Sequence, residues 1–274
     1  MTTLSDWGYD KAINPEKIWS TILARNTSMG AVRSKILKIL QAEDQIGRSN
    51  RETKGKLDRK AFSRFATGQA DIFTQRNVKL AENTAVSIFI DTSSSMYQRK
   101  SRGLKDFELD KNYRAIDGAR EVSIQLSNII SKTNSEFAVQ GFTDASSKTD
   151  VTIYQYKKWG KKLTPKEKFK ISTLDCVNAS GTPVYESLRW AIQDISKVQS
   201  KKKVLFIITD ACFHYSARKQ IPYLESLAEK LGIKIVAIGL ETISDLTTMF
   251  KHSANVNLDD LFGQSFSQIL KAIS

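Results

Sequence analysis

A chain of 274 residues with a net charge of +13, two cysteines and two histidines can bury a sizeable core but cannot be stapled by a disulfide scaffold. It contains no run of about 18 apolar residues, so no membrane-spanning helix is expected. Its opening Met-Thr-Thr-Leu-Ser-Asp lacks the charged-then-apolar order of a secretory signal. A reducing cytoplasm is the expected compartment.

Asn14-Pro15 reads as a cap and first turn, with Ile18, Trp19, Ile22 and Leu23 following at helical spacing. Val32, Ile36, Leu37, Ile39 and Leu40 mark a second amphipathic helix. Residues 48–60 are polar and charged and read as a linker or exposed loop. A short helix is expected over 58–66, and an irregular or extended lead-in runs to Lys79. From residue 85 strands and helices alternate. Strand 85–91 is followed by a basic loop, 97–111, and by helix 112–133 with Ile116, Ala119, Val122, Leu126 and Ile130 on one face. Strand 136–142 comes next. The short turn after it makes strand 151–156 its antiparallel partner. Helix 183–198, strand 203–209, helix 216–231, strand 233–239, a short helix over 243–251 and helix 258–273 complete the reading, with Gly232 at a helix C′ position. Apolar strands separated by helices indicate a Rossmann-like, doubly wound α/β fold. The sheet is expected to be mostly parallel with one antiparallel edge strand. The expected division is a small helical N-terminal extension and lead-in over 1–80 and the α/β domain over 81–274.

The most informative segment is Val86-Ser-Ile-Phe-Ile-Asp91-Thr-Ser93-Ser-Ser95-Met96. It sets one carboxylate and two hydroxyls at the carboxyl tip of an apolar strand, the edge where open α/β sheets bind ligands. Hard oxygen donors suit Mg²⁺ or Mn²⁺ rather than zinc or copper. The Asp91-x-Ser93-x-Ser95 pattern resembles the metal-ion-dependent adhesion site (MIDAS) of von Willebrand factor A domains. Two further segments fit that family in order: Gly181-Thr182-Pro183, with Pro183 placed at the first helical position, and Val204-Leu-Phe-Ile-Ile-Thr-Asp210. Ala211 stands where the family usually has Gly. The resemblance implies that Asp91, Ser93, Ser95, Thr182 and Asp210 hold Mg²⁺ or Mn²⁺, directly or through water. One coordination position is then left for a Glu or Asp of a protein partner.

The same residues have plainer uses. Asp91 and the serines can cap a helix, Thr182 can be only a cap, and Asp210 only a turn residue. Ser93 as a nucleophile would need His214 or His252 as base and lacks a G-x-S-x-G elbow. Zinc at Cys212 and His214 would lack the remaining soft ligands.

Within the family the chain is most similar to the A domain of CobT-type cobaltochelatase subunits. Gly55-Lys-Leu-Asp58, Asp71-Ile-Phe-Thr-Gln-Arg76 and a Gly141-Phe142-Thr143 turn carry that likeness. The branch's long acidic regions are missing, and residues 97–111 resemble an insertion. In that branch the metal site resembles a docking element for a MoxR-type AAA+ ATPase. The present chain has no G-x-x-x-x-G-K-[ST] loop of its own. The expectation is a non-catalytic, metal-dependent adaptor or co-subunit of such an ATPase. The alternative is a cobaltochelatase subunit inserting metal into a tetrapyrrole in cobalamin biosynthesis. Lysines 157, 158, 161, 162, 166, 168 and 170, interleaved with Trp159 and Phe169, and lysines 201–203 form a basic patch. It reads as a solvated face, as a surface for an acidic protein, or, more weakly, as a nucleic-acid surface.

Overall fold

The computed structural model describes residues 15–25, 33–34, 36–37, 47–52, 56–57, 73–77, 84–97, 114–133, 135–144, 151–174, 181–242 and 245–257. The helices expected over 58–66 and 258–273, and nearly all of the basic loop, lie outside the described residues. Two compact units are present: Met1–Leu40 with Asn83–Ser274, and Gln41–Glu82. The partition therefore differs from a boundary at residue 80, because the first helix belongs with the α/β domain.

The smaller unit corrects the reading of residues 48–60 as a linker or loop. Strands β1 (Gly47–Glu52) and β2 (Lys56–Leu57) both pair antiparallel with β3 (Phe73–Asn77). Neither β1 nor β2 carries alternating apolar residues, so periodicity had nothing to detect.

In the larger unit, helix α1 (Pro15–Arg25) buries Trp19 and Ile22. Strand β4 (Thr84–Asp91) is buried along its whole length, as expected of a central strand covered on both faces. A 3-10 turn (Ser94–Tyr97) follows. Then come α2 (Ala115–Ile130), β5 (Glu136–Asp144) and β6 (Val151–Lys157). Helix α3 (Pro165–Ser172), α4 (Val184–Ser196) and β7 (Lys202–Thr209) come next. Helix α5 (Tyr215–Lys230) and β8 (Ile233–Leu240) are followed by a 3-10 turn (Leu246–Thr248) and β9 (Ser253–Val256). The short helix expected over 243–251 is thus a 3-10 turn followed by an edge strand.

The six strands run in the order β6-β5-β4-β7-β8-β9. All pairs are parallel except β5 with β6, the antiparallel edge pair. Residues of β4 alternate between two cores. Val86, Ile88 and Ile90 join α1, α2 and Ile171 of α3. Ala85 and Phe89 join α4 and α5. Gln125 of α2 donates to the Ile22 carbonyl of α1 at 3.0 Å, a buried tie that fixes the first helix on the sheet. This doubly wound arrangement places β5 on one side of β4 and β7 on the other. The crevice between the carboxyl ends of β4 and β7 is therefore the topological switch point, where such sheets take ligands.

Candidate metal centre

Asp91 ends β4 at that crevice, with both carboxylate oxygens engaged. Oδ1 accepts from the Ser93 backbone N–H at 2.9 Å, and Oδ2 accepts from the Thr209 hydroxyl at 2.7 Å. The Ser93 and Ser95 hydroxyls lie 3.1 Å apart. The Asp91-x-Ser93 turn thus folds the serines back over the strand end. Asp91, Ser93 and Asp210 are all buried.

Asp210 follows β7 directly. Its Oδ1 accepts from the Cys212 N–H at 3.1 Å, while its buried Oδ2 has no hydrogen-bond partner among the described residues. Burial first, and the Asp210 charge second, push the Asp91 carboxyl up to about 7; hydrogen bonds from Ser93 and Thr209 oppose the shift. Two carboxylates thus share a buried crevice, and among the described residues no cationic side chain is bonded to either. An orphaned buried carboxylate oxygen costs free energy unless something satisfies it. The donors are all oxygens: two carboxylates and two hydroxyls. That set fits a hard divalent cation such as Mg²⁺ or Mn²⁺.

Thr182 stands on the same sheet edge, in the loop before α4. Among the described residues no hydrogen bond joins it to Asp91, Ser93, Ser95 or Asp210. Its place is set by a clamp that sequence reasoning missed. Asp144, at the end of β5, accepts from the Gly181 N–H at 2.7 Å. The Asp144 N–H and the Thr143 hydroxyl both donate to the Gly181 carbonyl at 3.2 Å. Asp144 and Gly181 are 37 residues apart, and no short-range pattern signals such a contact. Pro183 occupies the N-cap of α4 rather than the first helical position, which falls to Val184. Gly141, Phe142 and Thr143 lie inside β5 rather than in a turn.

A Cβ on Gly181 would lie 2.5 Å from Asp144 Oδ2. Gly181→Ala is therefore expected to break the clamp, removing a charged hydrogen bond worth about 1.5–3 kcal/mol. Mn²⁺ affinity, read by calorimetry, should fall about tenfold or more while the fold survives. Unchanged affinity would mean that the Thr182 loop plays no part in metal binding.

Ala211 has a φ of 57°, the left-handed region where the family's usual Gly is at ease. A non-glycine residue there costs about 1–2 kcal/mol. The Ala211 methyl is fully buried against the α4–α5 core, which returns about 0.8 kcal/mol, and Gly adds backbone entropy to the unfolded chain. These effects nearly cancel. Ala211→Gly should shift the melting temperature by no more than a few degrees, and a drop above 10 °C in a thermal melt would contradict this balance.

The rival chemistries do not assemble. Ser93 is bonded to Ser95 rather than to a histidine, and His214 Nδ1 lies 2.8 Å from the Ser216 hydroxyl at the start of α5. Among the described residues no group of three or more His, Cys, Asp or Glu side chains is placed to hold a metal. This leaves the mixed carboxylate–hydroxyl site as the candidate. No helix among those residues is long and apolar enough to cross a membrane.

No family model matches the chain, and no curated protein matches it. Solved structures do. The chain is similar to the PilB minor pilin from Streptococcus sanguinis, at 16% identity over 73% of this chain and 64% of that one, with a TM-score of 0.50. It is also similar to BatB from Bacteroides thetaiotaomicron (14% identity, 57% and 66% covered, TM-score 0.41). A third similar structure is proximal thread matrix protein 1 from the mussel byssus, with a zinc-occupied MIDAS motif (18% identity, 70% and 44% covered, TM-score 0.42). The chain spans about two thirds or less of each of these proteins. At such identities the likeness to PilB shows the fold alone. The larger unit has a von Willebrand A-like fold: a Rossmann-like, mostly parallel six-stranded sheet with one antiparallel edge pair.

Proposed function

We propose that this chain is a protein-interaction module that binds its partner through a divalent metal held by Asp91, Ser93, Ser95, Thr182 and Asp210. The observation that carries this reading is the buried, unpartnered Oδ2 of Asp210 in the same crevice as Asp91. Two acids kept close in a buried site, with no cationic side chain bonded to them among the described residues, are arranged for a cation from solution. A bound Mg²⁺ or Mn²⁺ would supply a positive charge able to accept a carboxylate from a partner. The chain's own part is to hold the acids and hydroxyls in place through the Thr209, Ser93 N–H and Asp144–Gly181 contacts.

The partner we infer is a MoxR-type AAA+ ATPase, with this chain as its adaptor or co-subunit. The reading is supported by the absence of any phosphate-cradling Walker loop in the sequence and by the likeness of its motifs to the cobaltochelatase branch. In the same proposal a chelatase role in cobalamin biosynthesis stands as the narrower variant. It would require a large chelatase subunit in the same complex. The test is immobilised full-length protein challenged with the purified MoxR-type ATPase of the same genome, in 5 mM MgCl₂ and in EDTA. Capture in magnesium that is lost in EDTA and in Asp210→Asn is the expected result. Equal capture in both buffers would remove the metal from the interaction.

A further inference from the structure

The sheet edge opposite the carboxyl tips carries lysines. Parallel strands start together, so the residues that open β4, β5, β7 and β8 share the edge opposite the carboxyl tips. Thr84 pairs with Lys202, Ala85 with Lys203 and with Glu136, and Val204 with Lys234. Antiparallel β6 ends at this edge as well. There the Gly160 N–H donates to Glu136 Oε1 at 2.7 Å and Trp159 Nε1 donates to Asp194 of α4 at 2.7 Å. These two bonds seat the loop carrying Lys158, Lys161 and Lys162 beside the C-terminal end of α4. The segment after that helix carries Lys197 and Lys201–Lys203. Lys158, Lys161, Lys162, Lys197 and Lys201 are exposed. Strands of about eight residues separate this edge from Asp91 and Asp210 by roughly 25 Å.

Helix C-termini attract cations, and Lys203 Nζ does donate to the Ser196 carbonyl at 2.8 Å. That role accounts for one lysine of the group. Acids near this edge are already engaged: Glu136 by Gly160, Asp194 by Trp159 and Gln140, and, beside Lys234 at the start of β8, Glu225 and Glu229 by Lys251. Burial first, and next the Lys234 ammonium on the neighbouring strand, hold Lys202 below the ordinary lysine value.

We infer that this lysine edge is a binding surface for the phosphodiester backbone of a nucleic acid, read without regard to sequence. The composition of the edge selects this partner. Segments 157–170 and 197–203 contain no arginine, the side chain suited to forked capture of carboxylates on an acidic protein. The one tryptophan in them is committed through its N–H to Asp194 and is half-buried, so it is not a free anchor for a protein or membrane interface. Ammonium groups alone suit phosphates as point charges. From β6 to β8 the row spans four strand spacings, about 19 Å, over which one strand of a duplex presents about five phosphates. This surface is independent of the metal centre.

The test is fluorescence anisotropy of a labelled random-sequence 24-base-pair DNA with the full-length protein in EDTA, titrated from 50 to 200 mM KCl. Contact with about five phosphates gives a log–log salt slope near −4.5, a loss of about 500-fold across that range. Lys158→Ala/Lys161→Ala/Lys162→Ala should flatten the slope by up to about 2.7. A charge-matched control, Lys17→Ala/Arg189→Ala/Lys219→Ala, should bind as the wild type does. Failure to bind DNA at 50 mM KCl overturns the inference. So does equal weakening by both triple variants, or sedimentation with phosphatidylserine vesicles by a protein that leaves the DNA unbound.

Discussion

Replacing Asp210 with asparagine is expected to make the metal-free protein more stable and to erase its response to magnesium. In the absence of metal, Asp210 presents an orphaned, buried carboxylate oxygen to Asp91. Asparagine keeps an oxygen to accept from the Cys212 N–H while removing the charge that opposes Asp91. For the wild type, a divalent ion at one hundred times its dissociation constant adds about 2.7 kcal/mol. In a domain of this size that raises the melting temperature by roughly 5–10 °C.

The pH dependence has a definite sign. Burial, and next the Asp210 charge, push the Asp91 carboxyl up from its ordinary 3.8 to about 7 in the metal-free fold. Its contribution to metal-free stability is therefore complete below about pH 4 and is lost as pH rises through 7. Protons and metal compete for the same oxygens, so stabilisation by magnesium should grow from pH 5 to pH 8. Thermal melts with and without 5 mM MgCl₂ at those two pH values check both claims. A metal-free Asp210→Asn protein that melts below wild type yet still responds to magnesium would contradict the reading of the crevice. Asp91→Ala is the poorer probe. It strands the Ser93 N–H and the Thr209 hydroxyl in a buried site, costing about 1–3 kcal/mol each, so loss of metal binding and loss of stability would arrive together.

The legibility of this chain follows the physics of its elements. Strand β4 was readable because an apolar run ending in Asp91 can be little else than a central strand of a parallel sheet. Asp91 and Asp210 were findable because each ends such a run. Helix α3 was overlooked among its lysines, although a local signal was present: Thr164 and Glu167 form a capping box around Pro165. Strand β9 has four residues, only two of them buried, too few for a period to show. The Asp144–Gly181 clamp is a matter of tertiary geometry, and the burial of Asp91 follows from strand order. Neither can be read from spacing along the chain.

A second large effect is expected at Lys157, whose side chain is 2% exposed. The lysine ends β6, just beyond the register shift opposite Val139 and Gln140. Its ammonium donates to the Phe137 carbonyl and to the Lys158 carbonyl, and lies 3.9 Å from the centre of the Phe137 ring. Burial pushes it down to about 8, against the opposing pull of Glu136 and Glu167. The folded value lies below the ordinary lysine value of 10.5, so between pH 8 and 10.5 the unfolded chain holds this proton more tightly. Stability carried by this residue therefore rises with pH across that window and is flat below it. The increment is on the order of 2 kcal/mol, since each unit of difference is worth up to about 1.4 kcal/mol. Lys157→Met keeps a flexible chain of similar length over Phe137 and removes the titrating group. Urea midpoints at pH 7.5 and 10 should diverge more in the wild type than in Lys157→Met, and the variant should be at least as stable at pH 7.5, where the buried charge costs most. Parallel pH profiles for the two proteins would show that Lys157 stays solvated, with an ordinary lysine value.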